Sequence, residues 1–167
     1  VGSTFRFTVV ARLAKESDRT TAADARLPRD PAGEVSPDLR ILVAEDNATN
    51  QFVIRRLLER IGCAPVLVDS GARAVEAVRR DQFDVVFMDV MMPEMDGLAA
   101  TRAIRRLPGA ASGVRIVALT ANATSQDEAA CRAAGMDDYV SKPVTRACLT
   151  EALLRAQAAI SAARRAA

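Results

Sequence analysis

The chain is poor in the features that mark several familiar protein classes. Its net charge is only +2, with both signs mixed along 167 residues, so nothing favours nucleic-acid binding or a polybasic membrane patch. No apolar run approaches the roughly 20 residues of a spanning helix. Residues 1–4 lack the basic start and apolar core of a signal peptide, and a first residue of valine suggests a segment of a longer protein. We therefore expect a cytoplasmic chain without direct membrane contact.

Cysteine and lysine are also scarce. Cys63, Cys131 and Cys148 are odd in number and widely spaced, which suits neither a zinc site nor a disulfide framework. We expect them to be reduced thiols. The basic residues are nearly all arginine, and Lys15 and Lys142 are the only lysines. This scarcity makes Lys142 conspicuous.

The apolar residues that are present suffice for one domain with some extra length. Half of the residues are hydrophobic. Over residues 4–10, large apolar residues alternate with polar ones at the period of a half-buried strand. Residues 14–38 are mostly small, charged or proline, so they cannot bury enough surface to offset the entropy cost of ordering. We predict a linker there and a domain over residues 39–164.

From Leu39 onward, apolar strands alternate regularly with amphipathic helices. The predicted strands cover 39–46, 64–70, 83–89, 114–120 and 138–143, and the predicted helices cover 50–62, 72–80, 98–107, 125–135 and 145–163. Strands that are apolar on both faces indicate a parallel sheet covered by helices on both sides. We predict a doubly wound α/β fold with strand order 2-1-3-4-5, whose ligands bind at the carboxyl ends of the strands.

Polar residues stand at the predicted carboxyl ends of four strands. The first strand ends in Glu45 and Asp46, the third in Asp89, the fourth in Thr120 and the fifth near Lys142. Singly, each is typical of a helix cap, a strand end or a surface charge. Together they place three carboxylates in one pocket, where like charges repel and require a positive group. Mg²⁺, which prefers oxygen ligands, meets this need. A metal ion, the Lys142 ammonium and the Thr120 hydroxyl around one pocket predict a site for a phosphoryl group.

Four motifs in these places carry a family resemblance. The segments "ILVAEDNATNQ", "VVFMDVMMPEMDG", "IVALTAN" and "DDYVSKPV" together resemble the receiver domain of two-component response regulators over residues 39–154. Asn47, Asn50 and Gln51 after the acidic pair are similar to receivers attached to hybrid sensor histidine kinases. The resemblance implies a flavodoxin-like five-stranded sheet and a phosphoacceptor in a two-component phosphorelay.

The resemblance also implies roles in phosphoryl transfer and metal binding. Asp89 would accept the phosphoryl group from a phosphohistidine. Asp46 would bind Mg²⁺ directly, Glu45 would bind it directly or through water, and the backbone carbonyl of Met91 would supply another oxygen. Mn²⁺ can substitute for Mg²⁺. Met91 would also tune the lifetime of the phosphorylated state, together with Asn122.

Further residues would read the phosphorylated state. Lys142 would pair with the phosphoryl oxygens, and Thr120 would swing to hydrogen-bond them. Tyr139 would rotate inward to fill the vacated space, although from the residues alone it is a half-buried strand aromatic. The bond between Lys142 and Pro143 is similar to a cis peptide of the family.

The amino-terminal residues suggest the parent protein. Residues 1–13 resemble the last strand of a histidine-kinase ATPase domain, but the ATP-binding asparagine and glycine boxes are absent. We expect this chain to catalyse only its own phosphoryl transfer and dephosphorylation. The expected partners are the phosphoacceptor domain of a histidine kinase or a histidine phosphotransfer protein. A homodimer through the fourth helix, the fifth strand and the last helix is also expected, and no nucleic acid.

Two other functions remain open at this point. A haloacid-dehalogenase-like phosphohydrolase also uses a phosphoaspartate, but it needs a second acid where this chain has Met91. A flavodoxin-like domain used only for interaction or dimerisation needs no phosphorylation. The intact acids, Thr120 and Lys142 favour the phosphoacceptor over that scaffold.

Overall fold

The computed structural model describes residues 34–121 and 125–166, in which strands and helices alternate. The strands are β1 (Ile41–Ala44), β2 (Pro65–Val68), β3 (Val85–Asp89), β4 (Arg115–Thr120) and β5 (Asp138–Ser141). The helices are α1 (Ala48–Ile61), α2 (Gly71–Arg80), α3 (Gly97–Arg105), α4 (Ser125–Ala134) and α5 (Arg146–Ala166), with a short 3-10 helix at Gly109–Gly113. Every predicted element after residue 38 is present, with ends that differ by a few residues.

The five strands form one parallel sheet in the order β2-β1-β3-β4-β5. The predicted fold class and strand order are confirmed. The three central strands are buried almost throughout, whereas the edge strands β2 and β5 are partly exposed. Ala44 pairs with Met88, so the residues that follow β1 lie next to the end of β3. This register places the candidate acids at one edge of the sheet.

The sheet separates two apolar cores, because neighbouring strand residues point to opposite faces. Phe87 packs with α1 and α5, through Ile54, Leu58, Leu149, Leu153 and others. Met88 packs on the other face with α2, α3 and α4, through Ala74, Val78, Ala100, Ile104, Cys131 and others. A fully buried side chain such as Phe87 contributes about 1.5–3 kcal/mol. The two cores therefore hold the ends of the central strands firmly in register.

The residues just before β1 also contact the domain. Val35 packs against the core on the α1 and α5 face. The amide of Ser36 donates a hydrogen bond of 2.8 Å to the Gln157 side chain in α5. Residues 1–33, with the predicted strand at 4–10 and most of the predicted linker, lie outside the described residues. Among the helices of the described residues, none has the length and apolar character needed to cross a membrane.

Candidate functional site

Three carboxylates meet at the carboxyl ends of β1 and β3, as predicted. Glu45 and Asp46 follow β1 directly, and Asp89 is the last residue of β3. Glu45 is 1% exposed and Asp89 is 4% exposed, whereas Asp46 faces solvent. One oxygen from each of the three lies within 4.8 Å of the others. This acidic cluster has the hard oxygen donors that a divalent cation prefers.

Lys142 supplies a positive charge inside the acidic cluster. Its Nζ donates hydrogen bonds of 2.8 Å to Glu45 Oε2 and 2.8 Å to Asp89 Oδ2. Burial alone would lower the pKa of Lys142, but the bonds to Asp89 and Glu45 outweigh it and raise that pKa. The ammonium is therefore charged at neutral pH and bridges two buried carboxylates. The sequence placed Lys142 near this pocket but did not predict the bridge.

Asp89 is held from two sides. Its Oδ2 accepts from Lys142, and its Oδ1 accepts from the backbone amide of Met91 at 3.2 Å. Burial raises the pKa of Asp89 above its ordinary value. The bond from Lys142 opposes that rise, and the charge on Glu45 adds to it. The result is a desolvated carboxylate with fixed orientation, which suits a nucleophile.

The loop after Asp89 packs closely against the backbone of that residue. Gly97 begins α3, and a Cβ built at Gly97 would lie 2.1 Å from the Asp89 carbonyl oxygen. The Gly97 amide donates to Val90 at 3.1 Å, which closes the loop. Met91 is 75% exposed at the mouth of the site. Only glycine fits this approach, so the glycine in "MPEMDG" has a direct structural reason.

Two further predicted site residues, Thr120 and Tyr139, lie on β4 and β5. Thr120 ends β4 and is 7% exposed, one position beyond the residue that pairs with Asp89. Tyr139 lies in β5, half-buried beside α4, and a hydrogen bond with Glu128 raises its pKa. The peptide bond from Lys142 to Pro143 is cis. Asn122 lies outside the described residues.

Two side-chain amides outside the predicted site residues contact Glu45. Asn50 Nδ2 donates to Glu45 Oε1 at 2.7 Å, and Gln51 Nε2 donates to the Glu45 backbone carbonyl at 2.6 Å. Both residues stand in the first turns of α1. The signal was present in the sequence as two amide residues shortly after an acidic pair, but their targets depend on how α1 packs.

The comparisons with known proteins identify the family. A family model for the response regulator receiver domain matches residues 41–154. The chain belongs to the receiver domain family. This receiver is 39% identical over 135 residues to the sensor protein GacS of Pseudomonas syringae pv. syringae, covering 77% of the chain and 15% of that protein. It is 36% identical over 153 residues to hybrid signal transduction histidine kinase H of Dictyostelium discoideum, covering 89% of the chain and 11% of that protein.

Solved receiver structures resemble this receiver closely. One is the receiver domain of a sensor histidine kinase from Pseudomonas aeruginosa, with a magnesium ion coordinated in its active site cleft. It matches at 43% identity with a TM-score of 0.65, covering 70% of this chain and 95% of that chain. Another is the receiver domain of a Saccharomyces cerevisiae response regulator, solved with a histidine phosphotransfer signaling protein. It matches at 28% identity with a TM-score of 0.64, covering 70% of this chain and 87% of that chain.

Proposed function

We propose that this receiver takes a phosphoryl group from a phosphohistidine onto Asp89 in a two-component phosphorelay. The observation that carries the proposal is the buried Asp89 carboxylate, bridged through Lys142 to Glu45 at 2.8 Å on each side. The Lys142 ammonium has three N–H donors, and two of them bond to acids at the ligand-binding edge of the sheet. The third donor can bond to an incoming anion, such as a phosphoryl group.

In the proposed step, a carboxylate oxygen of Asp89 forms a bond to phosphorus as the bond from phosphorus to the donor histidine nitrogen breaks. The donor, with its other nitrogen protonated, leaves as neutral imidazole. Lys142 pairs with the phosphoryl oxygens, and the hydroxyl of Thr120 donates to another of them. Hydrogen bonds from Lys142 and from the Met91 amide fix the orientation of the Asp89 carboxylate, which reduces the entropy cost of aligning it with the donor.

The acidic cluster fits Mg²⁺, for which Mn²⁺ can substitute. Glu45, Asp46 and Asp89 offer oxygens within 4.8 Å of one another, and the exposed Asp46 leaves a side open to water and substrate. We propose Asp46 and Asp89 as direct ligands, Glu45 as a ligand that acts directly or through water, and the Met91 carbonyl as a further oxygen. A bound cation would offset the charge of the carboxylates and the incoming phosphoryl group.

An apolar surface on α1 is the proposed docking face for the phosphodonor. Phe52 is 57% exposed and Val53 is 43% exposed. Val53 also lines a groove with Lys142 and Pro143, so the apolar surface continues to the edge of the acidic cluster. A helix that carries a phosphohistidine can pack on this surface and reach Asp89. We propose the phosphoacceptor domain of a histidine kinase or a histidine phosphotransfer protein as the partner.

We also propose that the chain is one part of a hybrid sensor histidine kinase. Its curated relatives include such kinases, and the chain spans only 15% of GacS and 11% of the Dictyostelium kinase. The proposed boundaries remain residues 1–13 for the end of an ATPase domain, 14–38 for a linker and 39–164 for the receiver. Association through α4, β5 and α5, and a cytoplasmic location, belong to the same proposal.

The test of the proposed function is labelling by a small phosphodonor. We expect Mg²⁺ and acetyl phosphate to produce a phosphorylated species that Asp89→Asn abolishes, as read by mass spectrometry of the intact protein. Asp69→Asn is the matched control, because Asp69 is an exposed acid after β2 that pairs with Arg73 on the surface. Undiminished labelling of Asp89→Asn would remove Asp89 from the role.

A further inference from the structure

Glu45 is a buried acid whose two oxygens have different donors. Oε1 accepts from Asn50 Nδ2 at 2.7 Å, and Oε2 accepts from Lys142 Nζ at 2.8 Å. The residue is 1% exposed. A carboxyl group this deeply buried needs hydrogen-bond donors to replace the water that it has lost.

The two donors differ in how far they depend on Asp89. Lys142 divides its ammonium between Glu45 and Asp89, so any anion that binds at Asp89 competes with Glu45 for the lysine. Asn50 has no such second acid among its hydrogen bonds in the described part of the chain. The Asn50 bond is therefore the one that can persist while Lys142 moves toward a phosphoryl group.

The start of α1 holds Asn50 in place. Asn47 caps this helix, with Oδ1 accepting from the backbone amides of Thr49 at 2.9 Å and Asn50 at 3.2 Å. The neighbouring Gln51 side chain fixes the backbone of Glu45 through a bond of 2.6 Å to its carbonyl. The side chain and the backbone of Glu45 thus both accept hydrogen bonds from the start of α1.

We propose that Asn50 is a positioning residue that acts through Glu45. Its bond to Oε1 keeps the Glu45 carboxylate aimed at the acidic cluster, and so maintains metal affinity while Lys142 is shared with the phosphoryl group. The proposal rests on the proposed function for its role in phosphoryl transfer, but its effect on metal binding is measurable without any phosphodonor. Removing an outer partner of a ligating carboxylate typically weakens metal binding 10–100-fold.

The experiment is a double-mutant cycle on metal affinity. Binding of Mn²⁺ to the unphosphorylated protein is followed by the electron paramagnetic resonance signal of the free ion, for wild type, Asn50→Ala, Glu45→Gln and the double variant. We expect Asn50→Ala to weaken Mn²⁺ binding by about 10-fold. In the Glu45→Gln background the same substitution should change affinity less than about twofold, since coupled residues do not act additively.

Two further variants serve as controls for this experiment. Asn50→Leu keeps the branched shape of the side chain and favours the helix more than asparagine does, but it has no hydrogen-bond donor. It should therefore reproduce the loss if Asn50→Ala folds poorly. Thr49→Ala alters an exposed neighbour on α1 and should bind Mn²⁺ like wild type. Circular dichroism confirms that each variant is folded.

The outcomes separate this proposal from the proposed function. Wild-type affinity in a folded Asn50→Leu, or an equal loss with and without Glu45, would overturn the role of Asn50. Weakened Mn²⁺ binding that depends on Glu45 supports it, even in a protein that acetyl phosphate does not label. Such a protein would refute phosphorylation of Asp89 and leave the positioning role intact.

Discussion

At the scale of single residues, the burial that suits Asp89 to act as a nucleophile reduces the stability of the folded protein. The side chain is 4% exposed, and burial raises its pKa above the ordinary value of 3.8. A raised pKa means that the folded protein holds the proton more tightly than the unfolded chain does. The stability therefore falls as the pH rises from the unfolded-state pKa through the folded-state pKa. At neutral pH, the charged Asp89 lowers the stability of the fold that positions it.

This conflict predicts that an inactive variant is more stable. We expect Asp89→Asn to raise the free energy of unfolding at about pH 7 by about 1 kcal/mol, because the neutral amide avoids burying a charge. Lys142 keeps Glu45 as its partner in this variant. Urea unfolding of metal-free protein measures the difference, which should shrink as the pH falls toward 3.8. A less stable variant at neutral pH would contradict this explanation.

The Met91 side chain predicts a long lifetime for the phosphorylated state. Its side chain is 75% exposed beside Asp89 and offers no strong hydrogen bond to orient an attacking water. We expect slow loss of the phosphoryl group in the wild type and a severalfold faster loss in Met91→Asn, whose amide can orient the water. This acceleration corresponds to a reduction of about 1 kcal/mol in the activation free energy. The decay of phosphorylated protein after removal of the donor is the measurement. An unchanged rate would count against this role, and Met91→Leu is the apolar control.

At the scale of elements, the connection from β3 to α3 is built by close backbone contacts. Glu94 has a φ of 62°, in the left-handed region, and the Met95 amide donates to the Pro93 carbonyl at 2.7 Å. A Cβ at Gly71, the first residue of α2, would lie 2.4 Å from the Met95 carbonyl oxygen. The loop is thus pressed between β3 and α2. A change in the conformation of this loop would therefore move Asp89.

The same packing predicts the effect of adding one methyl group at Gly97. The new Cβ would lie 2.1 Å from the Asp89 carbonyl, so the loop or the strand end must move. We expect Gly97→Ala to destabilise the fold by at least about 2 kcal/mol. Phosphorylation should also slow, because the displaced strand end carries the acceptor.

The control for this prediction is Gly113→Ala. A Cβ at Gly113 would meet nothing within 4 Å, and its φ is not in the left-handed region. Thermal and urea unfolding of both variants should therefore separate a local clash from a general cost of replacing glycine. Equal stabilities for the two variants would refute the close approach at Gly97.

At the scale of the whole molecule, phosphorylation is expected to bias the arrangement of β4, α4 and β5. Thr120 ends β4, and Tyr139 lies on the neighbouring strand with a hydrogen bond to Glu128 of α4. If Thr120 turns toward a phosphoryl group and Tyr139 moves inward, the bond to Glu128 breaks. The change at the end of β4 would then reach α4.

The amino-acid composition makes this change easy to measure. Tyr139 is the only tyrosine and the chain has no tryptophan, so tyrosine fluorescence reports on this one side chain. We expect Mg²⁺ with beryllofluoride, a mimic of the phosphoryl group, to change that fluorescence by tens of per cent, because contact with the Glu128 carboxylate is lost. Asp89→Asn should show no change. An unresponsive wild type that binds beryllofluoride would exclude the switch.

Much of the fold was readable from the sequence because the signals are local and repeated. Apolar strands of four to six residues alternate with amphipathic helices, and helix ends carry clear signals such as Asn47, Ser70 and Asp96 as caps. Because the crossover between two parallel strands is right-handed, few strand orders are then possible. The acids, Thr120 and Lys142 could be assigned to one edge because each follows a predicted strand.

The sequence by itself thus determined the element order, the sheet and the edge at which the site lies, since these follow from periodicity and chain connection. Only the tertiary structure decided which atoms meet there. The Lys142 bridge spans 97 positions to Glu45, and the Ser36 contact with Gln157 spans 121. Such contacts depend on helix packing and side-chain rotamers, which no local pattern encodes. For the same reason Asn50 became a site residue only once α1 was seen against the end of β1.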